Sequence, residues 1–149
     1  MKRRIISWFL AAVICVFLAG CSENAQYILK DGFKKIDVDL TALSGTMVYA
    51  EVYNMMVNPT DYLGKTVKLS GPYSTRYYDV TDEYYHYVIV EDATACCQQG
   101  LEFIWSGQHV FPDDYPVDQT EIEILGIFDS YEELGNTFFY IKADDLSVI

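Results

Sequence analysis

The chain has 149 residues and a formal net charge of −12, and 51% of its residues are hydrophobic. A chain of this length can form one domain with a core of its own. The basic residues after residue 20 are scattered, so the net negative field opposes a phosphate backbone. We therefore expect no nucleic acid among the partners of this protein.

The first twenty residues have the order of a secretion signal. Lys2-Arg3-Arg4 precedes an apolar run from Ile5 to Leu18 that is too short to span a bilayer comfortably. An uncleaved membrane helix is the alternative, but Ser22-Glu23-Asn24 turns polar at once after the apolar run. The pattern predicts a cleaved signal peptide over residues 1–20.

The residues at the end of this segment add a specific motif. Leu18-Ala19-Gly20-Cys21 resembles the lipobox of bacterial lipoproteins. The resemblance implies that the thiol of Cys21 is acylated and that Cys21 becomes the mature N-terminus. We therefore expect a lipid-anchored protein of the bacterial cell envelope, facing outside the cytoplasm, with the membrane as a partner through that lipid.

A tether and a helix are predicted next. Residues 21–40 are mixed and polar, which is typical of a segment that holds a domain away from a membrane. Thr41 to Asn58 lacks proline and carries apolar residues at spacings of three and four, which predicts a helix with one buried side that ends before Pro59. The folded domain is therefore expected over residues 41–149.

After Pro59 the apolar pattern changes to the period of two that is typical of strands. The five predicted strands are Lys65–Tyr73, Tyr84–Val90, Gly100–Trp105, Glu121–Phe128 and Thr137–Ile141. Gly135 and Asn136 supply the turn between the last two strands. Gly71 and Gly126 lie inside strand patterns, where they indicate sharp bends or bulges such as small barrels need.

Two of these segments resemble OB-fold domains of exported bacterial proteins. Pro59 to Gly71 contains the "Gly-Lys-x-Val-x-x-x-Gly" opening of such domains, and Glu121 to Ile141 resembles their closing hairpin. The resemblance implies a mostly β protein, a small five-stranded OB-fold-like barrel preceded by one helix. These domains commonly place a helix between strands three and four, whereas Ser106 to Pro116 contains two prolines and predicts no regular helix.

Cys96 and Cys97 remain after processing. Adjacent Cα atoms lie about 3.8 Å apart, below the usual disulfide range of about 4.4–6.8 Å, so these residues cannot form an ordinary disulfide. With His86 and His109 they could form a site for zinc or copper, or they could act in thiol redox chemistry. The interpretation that we favour is that one cysteine packs inward and that the protein uses no cofactor.

Tyrosines are the other candidate site residues. They concentrate near the loops where OB-folds bind extended ligands, and they could stack on a protein, peptide or carbohydrate. Structural packing on a small barrel is the other interpretation and the favoured one for these side chains, since tyrosines suit half-buried strands. Because no catalytic constellation is visible in the sequence, we expect a binding module and no enzyme. The candidate ligand-binding residues are Tyr77, Tyr78, Tyr85, Tyr87 and Tyr115.

Overall fold

A computed structural model describes residues 26–29, 32–91 and 97–149, with side chains from residue 35 onward. The predicted signal peptide, Cys21 and Cys96 lie outside these residues. The described elements, in chain order, are β1 (Gln26–Leu29), β2 (Gly32–Lys35), β3 (Val38–Asp39), α1 (Gly45–Val57), β4 (Thr66–Tyr78), β5 (Glu83–Glu91), β6 (Gln98–Trp105), β7 (Glu121–Glu133) and β8 (Asn136–Val148). In this part of the chain, no helix has the length and apolar character needed to cross a bilayer.

Strands β4 to β8 close into a five-stranded barrel. Their hydrogen-bonded order is β4-β5-β6-β8-β7, and β7 returns to β4. The pairing of β6 with β8 is parallel and the other four pairings are antiparallel. The predicted fold class, an OB-fold-like barrel preceded by one helix, is confirmed.

Two glycines stand where the barrel bends. Shortly after Gly71, between Pro72 and Tyr73, β4 changes its partner strand from β7 to β5. A Cβ atom at Gly71 would collide with the carbonyl oxygen of Ile89, and one at Gly126 would collide with the carbonyl oxygen of Lys142. Gly126 also lies at the register shift of β7 against β8. The bends predicted at these two positions are therefore present, and each needs a residue without a side chain.

The barrel interior is filled by alternate side chains of the strands together with one side of α1. Val52 and Met55 of α1 are fully buried, whereas Met47, predicted on the same side, is 56% exposed. The helix is shorter at its start than predicted because a separate 3-10 turn occupies Leu40–Ala42. The largest fully buried strand side chains are Tyr73, Phe103, Phe128, Leu69, Leu101, Ile122, Ile124 and Ile141.

The folded part reaches back into the segment that we predicted as a tether. β3 pairs in parallel with β4, and Leu40 is buried in the core. The backbone N–H of Thr66 donates a hydrogen bond to Asp37 Oδ2 over 3.1 Å. The domain therefore begins before residue 41, because this short strand and the side chain after it complete the packing against β4.

The connection between β6 and β7 contains no regular helix, as its prolines predicted. It lies against the barrel through aromatic side chains. The ring of Tyr115 stacks on His86 with a centroid distance of 4.1 Å and an interplanar angle of 20°. His109 stacks on Trp105 at 3.6 Å and 6°. Ring stacking thus helps to fix a segment that forms no regular helix.

Candidate binding site

A pocket of about 260 Å³ opens on the outer face of the barrel, between the ends of two hairpins. On β5, His86 and Val88 are buried, so the alternate residues Tyr85 and Tyr87 point outward. The turn after β4 and the turn after β7 form the two sides of the pocket. Its lining residues are Tyr78, Val80, Thr81, Tyr85, Tyr87, Glu102, Tyr131, Glu133, Leu134 and Phe138.

The tight turn of the β7–β8 hairpin positions one side of the pocket. Glu133 pairs with Asn136, and the two residues between them, Leu134 and Gly135, have φ angles of 49° and 79°. A two-residue turn with both φ values positive matches the right-handed twist of the strands it joins. The turn therefore continues the hairpin beyond the barrel and places Glu133 and Leu134 at the pocket.

Aromatic rings form two opposing walls. On the β4–β5 hairpin, the rings of Tyr78 and Tyr85 meet edge to face, with centroids 5.2 Å apart and an interplanar angle of 83°. On the β7–β8 hairpin, Tyr131 and Phe138 are stacked at 5.6 Å and 23°. Paired rings of this kind are stiff and present an apolar surface with a negative face.

Two carboxylates lie between these walls, and each accepts hydrogen bonds from a tyrosine. The hydroxyl of Tyr131 lies 3.0 and 3.1 Å from the two carboxylate oxygens of Glu102. The hydroxyl of Tyr85 lies 2.7 Å from each carboxylate oxygen of Glu133. Glu102 is only 9% exposed, so the pocket contains one deeply buried acid and a second acid near its rim.

Burial controls the protonation of these groups. It raises the pKa of Glu102 to about 7, although the hydrogen bond from Tyr131 acts in the opposite direction; the charge of Glu133 raises this pKa further. Burial and the charge of Glu102 also raise the pKa of Tyr87 and of Tyr131, which keeps both phenols protonated. None of the described residues that line the pocket is Lys, Arg or His.

The predicted tyrosines divide between several surfaces. Tyr78, Tyr85 and Tyr87 line the pocket. Tyr77 does not line it: its hydroxyl donates a hydrogen bond to Asp82 over 2.6 Å, and its ring lies 5.1 Å from that of Tyr84. Tyr115 lines a different pocket.

Sequence reasoning missed the opposite half of the site. Tyr131 is 29 residues from Glu102, and Glu133 is 48 residues from Tyr85, so no local motif joins these partners. The only local signal was the alternation along the last two strands, which predicts a shared face for Tyr131 and Glu133 but does not show what that face meets. Val80, Thr81, Leu134 and Phe138 were missed for the same reason.

The two histidines share a second pocket of about 470 Å³, together with Glu83, Tyr84, Phe111, Pro112 and Tyr115. Nδ1 of His86 lies 2.7 Å from the hydroxyl of Tyr73. Burial lowers the pKa of His86 to about 4, so its imidazole is neutral at physiological pH. His109 is held by its stack on Trp105.

Of the two cysteines, the structure describes Cys97, which lies far from His86 along the sheet. Cys97 is exposed and directly precedes β6. His86 pairs with Phe103, six residues further along, so the distance along the strand is about 20 Å at about 3.3 Å per residue. Among the residues described, no group of three or more His, Cys, Asp and Glu side chains could hold a metal ion. The metal or redox role stays a prediction.

No family model matches the chain, and no curated protein matches it. Among solved structures, the chain is similar to the dimeric N-terminal domain of PriB protein from Thermoanaerobacter tencongensis. The identity is 20%, the TM-score is 0.39, and the match covers 56% of this chain and 94% of that chain.

The expectation that nucleic acid is excluded as a partner is corrected here. That expectation came from the net charge and from the scattered positions of the basic residues. The barrel is of a type whose outer face and flanking loops bind oligonucleotides as well as oligosaccharides. A scattered set of basic residues in the sequence therefore does not exclude nucleic acid.

Proposed function

We propose that this protein is a lipid-anchored, non-catalytic binding module of the bacterial cell envelope that takes its ligand in the pocket between the two hairpins. The observation that carries the proposal is the position of that pocket. It lies on the outer face of the second and third barrel strands, β5 and β6, and is flanked by the first and last hairpin loops. This is the region where OB-folds bind extended ligands.

The chemistry of the pocket supports a binding role. Stiff aromatic walls and a few fixed polar groups are typical of ligand sites, since the rings supply contact area at little entropic cost. Glu102 and Glu133 are each fixed by a tyrosine hydroxyl, which preorganises the polar part of the pocket. A protein, a peptide or a carbohydrate can present groups that fit such a surface.

The anchoring part of the proposal comes from the sequence. Cys21 follows small residues in a lipobox-like motif, and the domain begins only some fifteen residues later, at about Asp37. A short connection of this kind keeps the binding pocket close to the membrane surface.

A chemical-shift experiment tests the binding role. The full-length chain in a non-ionic detergent is titrated with chito-oligosaccharides, with short peptides and with a single-stranded oligonucleotide, and backbone amide shifts are mapped. We expect the ligand that binds, from whichever of these groups it comes, to shift amides of β5, β6 and the two hairpin turns.

A matched pair of variants provides the control. Val80 lies beside the pocket and its side chain is 74% exposed. Val80→Trp should obstruct the pocket, so that at least a tenfold higher ligand concentration is needed to produce the same shifts. Val117 is 80% exposed and lines neither described pocket, so Val117→Trp should leave the titration unchanged. Shifts that are spread elsewhere and are insensitive to Val80→Trp would overturn the proposed function.

A further inference from the structure

We propose that the group held in this pocket is an alkylammonium cation, such as a methylated or free amine carried by the ligand. The inference deepens the proposed binding function and rests on it. Two features carry it: aromatic faces on opposite sides of the pocket, and two carboxylates between them.

The first argument is the aromatic lining. Five aromatic residues line the pocket. Tyr78, Tyr85 and Tyr87 belong to the β4–β5 hairpin. Tyr131 and Phe138 belong to the β7–β8 hairpin. Aromatic faces carry negative potential, and a cation placed over them is attracted more strongly when water is excluded. The alkyl groups of an alkylated ammonium surround its charge with apolar surface. Such an ion therefore packs against aromatic rings better than a strongly hydrated ion does.

The second argument is the direction of the hydrogen bonds inside the pocket. The hydroxyls of Tyr131 and Tyr85 donate to the carboxylates, and Thr81 donates to the carbonyl oxygen of Tyr78 over 3.4 Å. These three hydroxyl hydrogens are therefore already directed at acceptors within the protein, and the two carboxylates add oxygens that accept hydrogen bonds and attract positive charge. A phosphate or carboxylate ligand would meet like charge here without a basic side chain from the described lining.

The third argument is the burial of Glu102. A carboxylate that is 9% exposed carries a desolvation penalty, which an opposite charge in the same pocket offsets. Glu133 accepts its hydrogen bonds from the opposite hairpin and adds a second acidic group to the site. The net charge of −12 on the chain also favours the approach of cations over anions.

A pair of probes of equal shape tests the inference. Choline and 3,3-dimethyl-1-butanol differ in one atom, the quaternary nitrogen that a carbon replaces, so only choline carries charge. Both are titrated into the full-length chain at constant ionic strength near pH 8, and ligand-observed NMR follows their methyl signals. We expect choline to bind at least about tenfold more tightly than the alcohol.

Variants test separately how the carboxylate charge and the aromatic rings contribute to choline binding. Glu102→Gln should weaken choline binding at least tenfold and leave binding of the alcohol unchanged. Glu121→Gln makes the same change of charge at the opposite, exposed end of β7 and should alter neither affinity. Phe138→Leu should weaken choline binding at least about threefold, whereas Phe138→Tyr should retain it because an aromatic face remains.

The outcomes are distinguishable. Equal affinity for choline and for the alcohol, or an oligosaccharide that binds the pocket while choline does not, overturns the cation inference and leaves the proposed binding function standing. If no compound gives binding that Val80→Trp weakens, the proposed function fails as well. Choline binding that survives Glu102→Gln at full strength also overturns the inference, since the buried carboxylate then has no part in recognition.

Discussion

Replacing the buried carboxylate of Glu102 should stabilise the folded protein, and the gain should grow with pH. In the folded state burial raises the pKa of Glu102 to about 7, from an ordinary value of 4.5. Between these two values the unfolded chain has lost the proton that the folded chain still holds. Rising pH therefore favours unfolding over this range and has little further effect above it.

The magnitude follows from the two pKa values. At about 1.4 kcal/mol per pH unit, the raised pKa of Glu102 costs about 1 kcal/mol of stability at about pH 5, where folding requires proton uptake, and about 3 kcal/mol at about pH 8, where the buried group is ionised. Glu102→Gln removes this cost and keeps an oxygen to accept the hydrogen bond of Tyr131. The difference in unfolding free energy between variant and parent should therefore increase by about 2 kcal/mol over this range.

The assay is urea unfolding of the full-length chain in non-ionic detergent, followed by circular dichroism at several pH values. Parent and variant are compared at each pH because His86, whose pKa burial lowers to about 4, contributes in the opposite direction and cancels in the difference. The ionisable groups that interact electrostatically with Glu102 are Glu133 and the tyrosines at 85, 87, 131 and 140. Glu121→Gln serves as the control at an exposed position. A free-energy difference that stays constant from pH 5 to pH 8 would refute the reasoning.

Three further predictions concern the ligand, the anchor and the barrel. Choline affinity should rise about tenfold between about pH 6 and pH 8 as Glu102 ionises, and a flat titration by ligand-observed NMR would contradict this. Cys21→Ala should abolish metabolic labelling by a fatty acid and release the protein from membranes; unchanged labelling would rule out Cys21 as the acylated residue. Gly126→Ala should destabilise the domain by about 3 kcal/mol in urea unfolding, because the new Cβ collides with the carbonyl oxygen of Lys142, whereas Gly45→Ala has open space and should change stability by less than about 1 kcal/mol.

Much of the fold could be predicted because each strand has a clear period of two. Apart from Lys65, which directly precedes β4, the residues of all five predicted strands fall within β4 to β8, and the two internal glycines mark the bends correctly. Strand ends were less predictable. β4 continues to Tyr78 because its second half pairs with β5, a partner that no local pattern reveals. β3 was missed because two residues are too few to show a period.

The site was only half predictable for the same physical reason. Tyr85 and Tyr87 were predicted because tyrosines concentrate around the first hairpin, and their alternation with buried residues on β5 turns them to the outer face. Glu102 and Tyr131 belong to strands that are not consecutive neighbours in the barrel, since β8 lies between β6 and β7. Their hydrogen bond depends on this crossover, and the periodicity of a strand does not reveal which strand lies beside it.

The strand pairing also determines at what point during synthesis the barrel can close. Thr66 near the start of the barrel pairs with Ile127, and β6 pairs with β8, the last strand. During synthesis the barrel therefore cannot close until β8 has been made. Contacts between such distant segments form slowly. A product truncated after β7 would leave the edges of β6 and β7 unpaired, and unpaired edges recruit other chains. The C-terminal strand thus protects the rest of the molecule from aggregation, in addition to contributing Phe138 to the pocket.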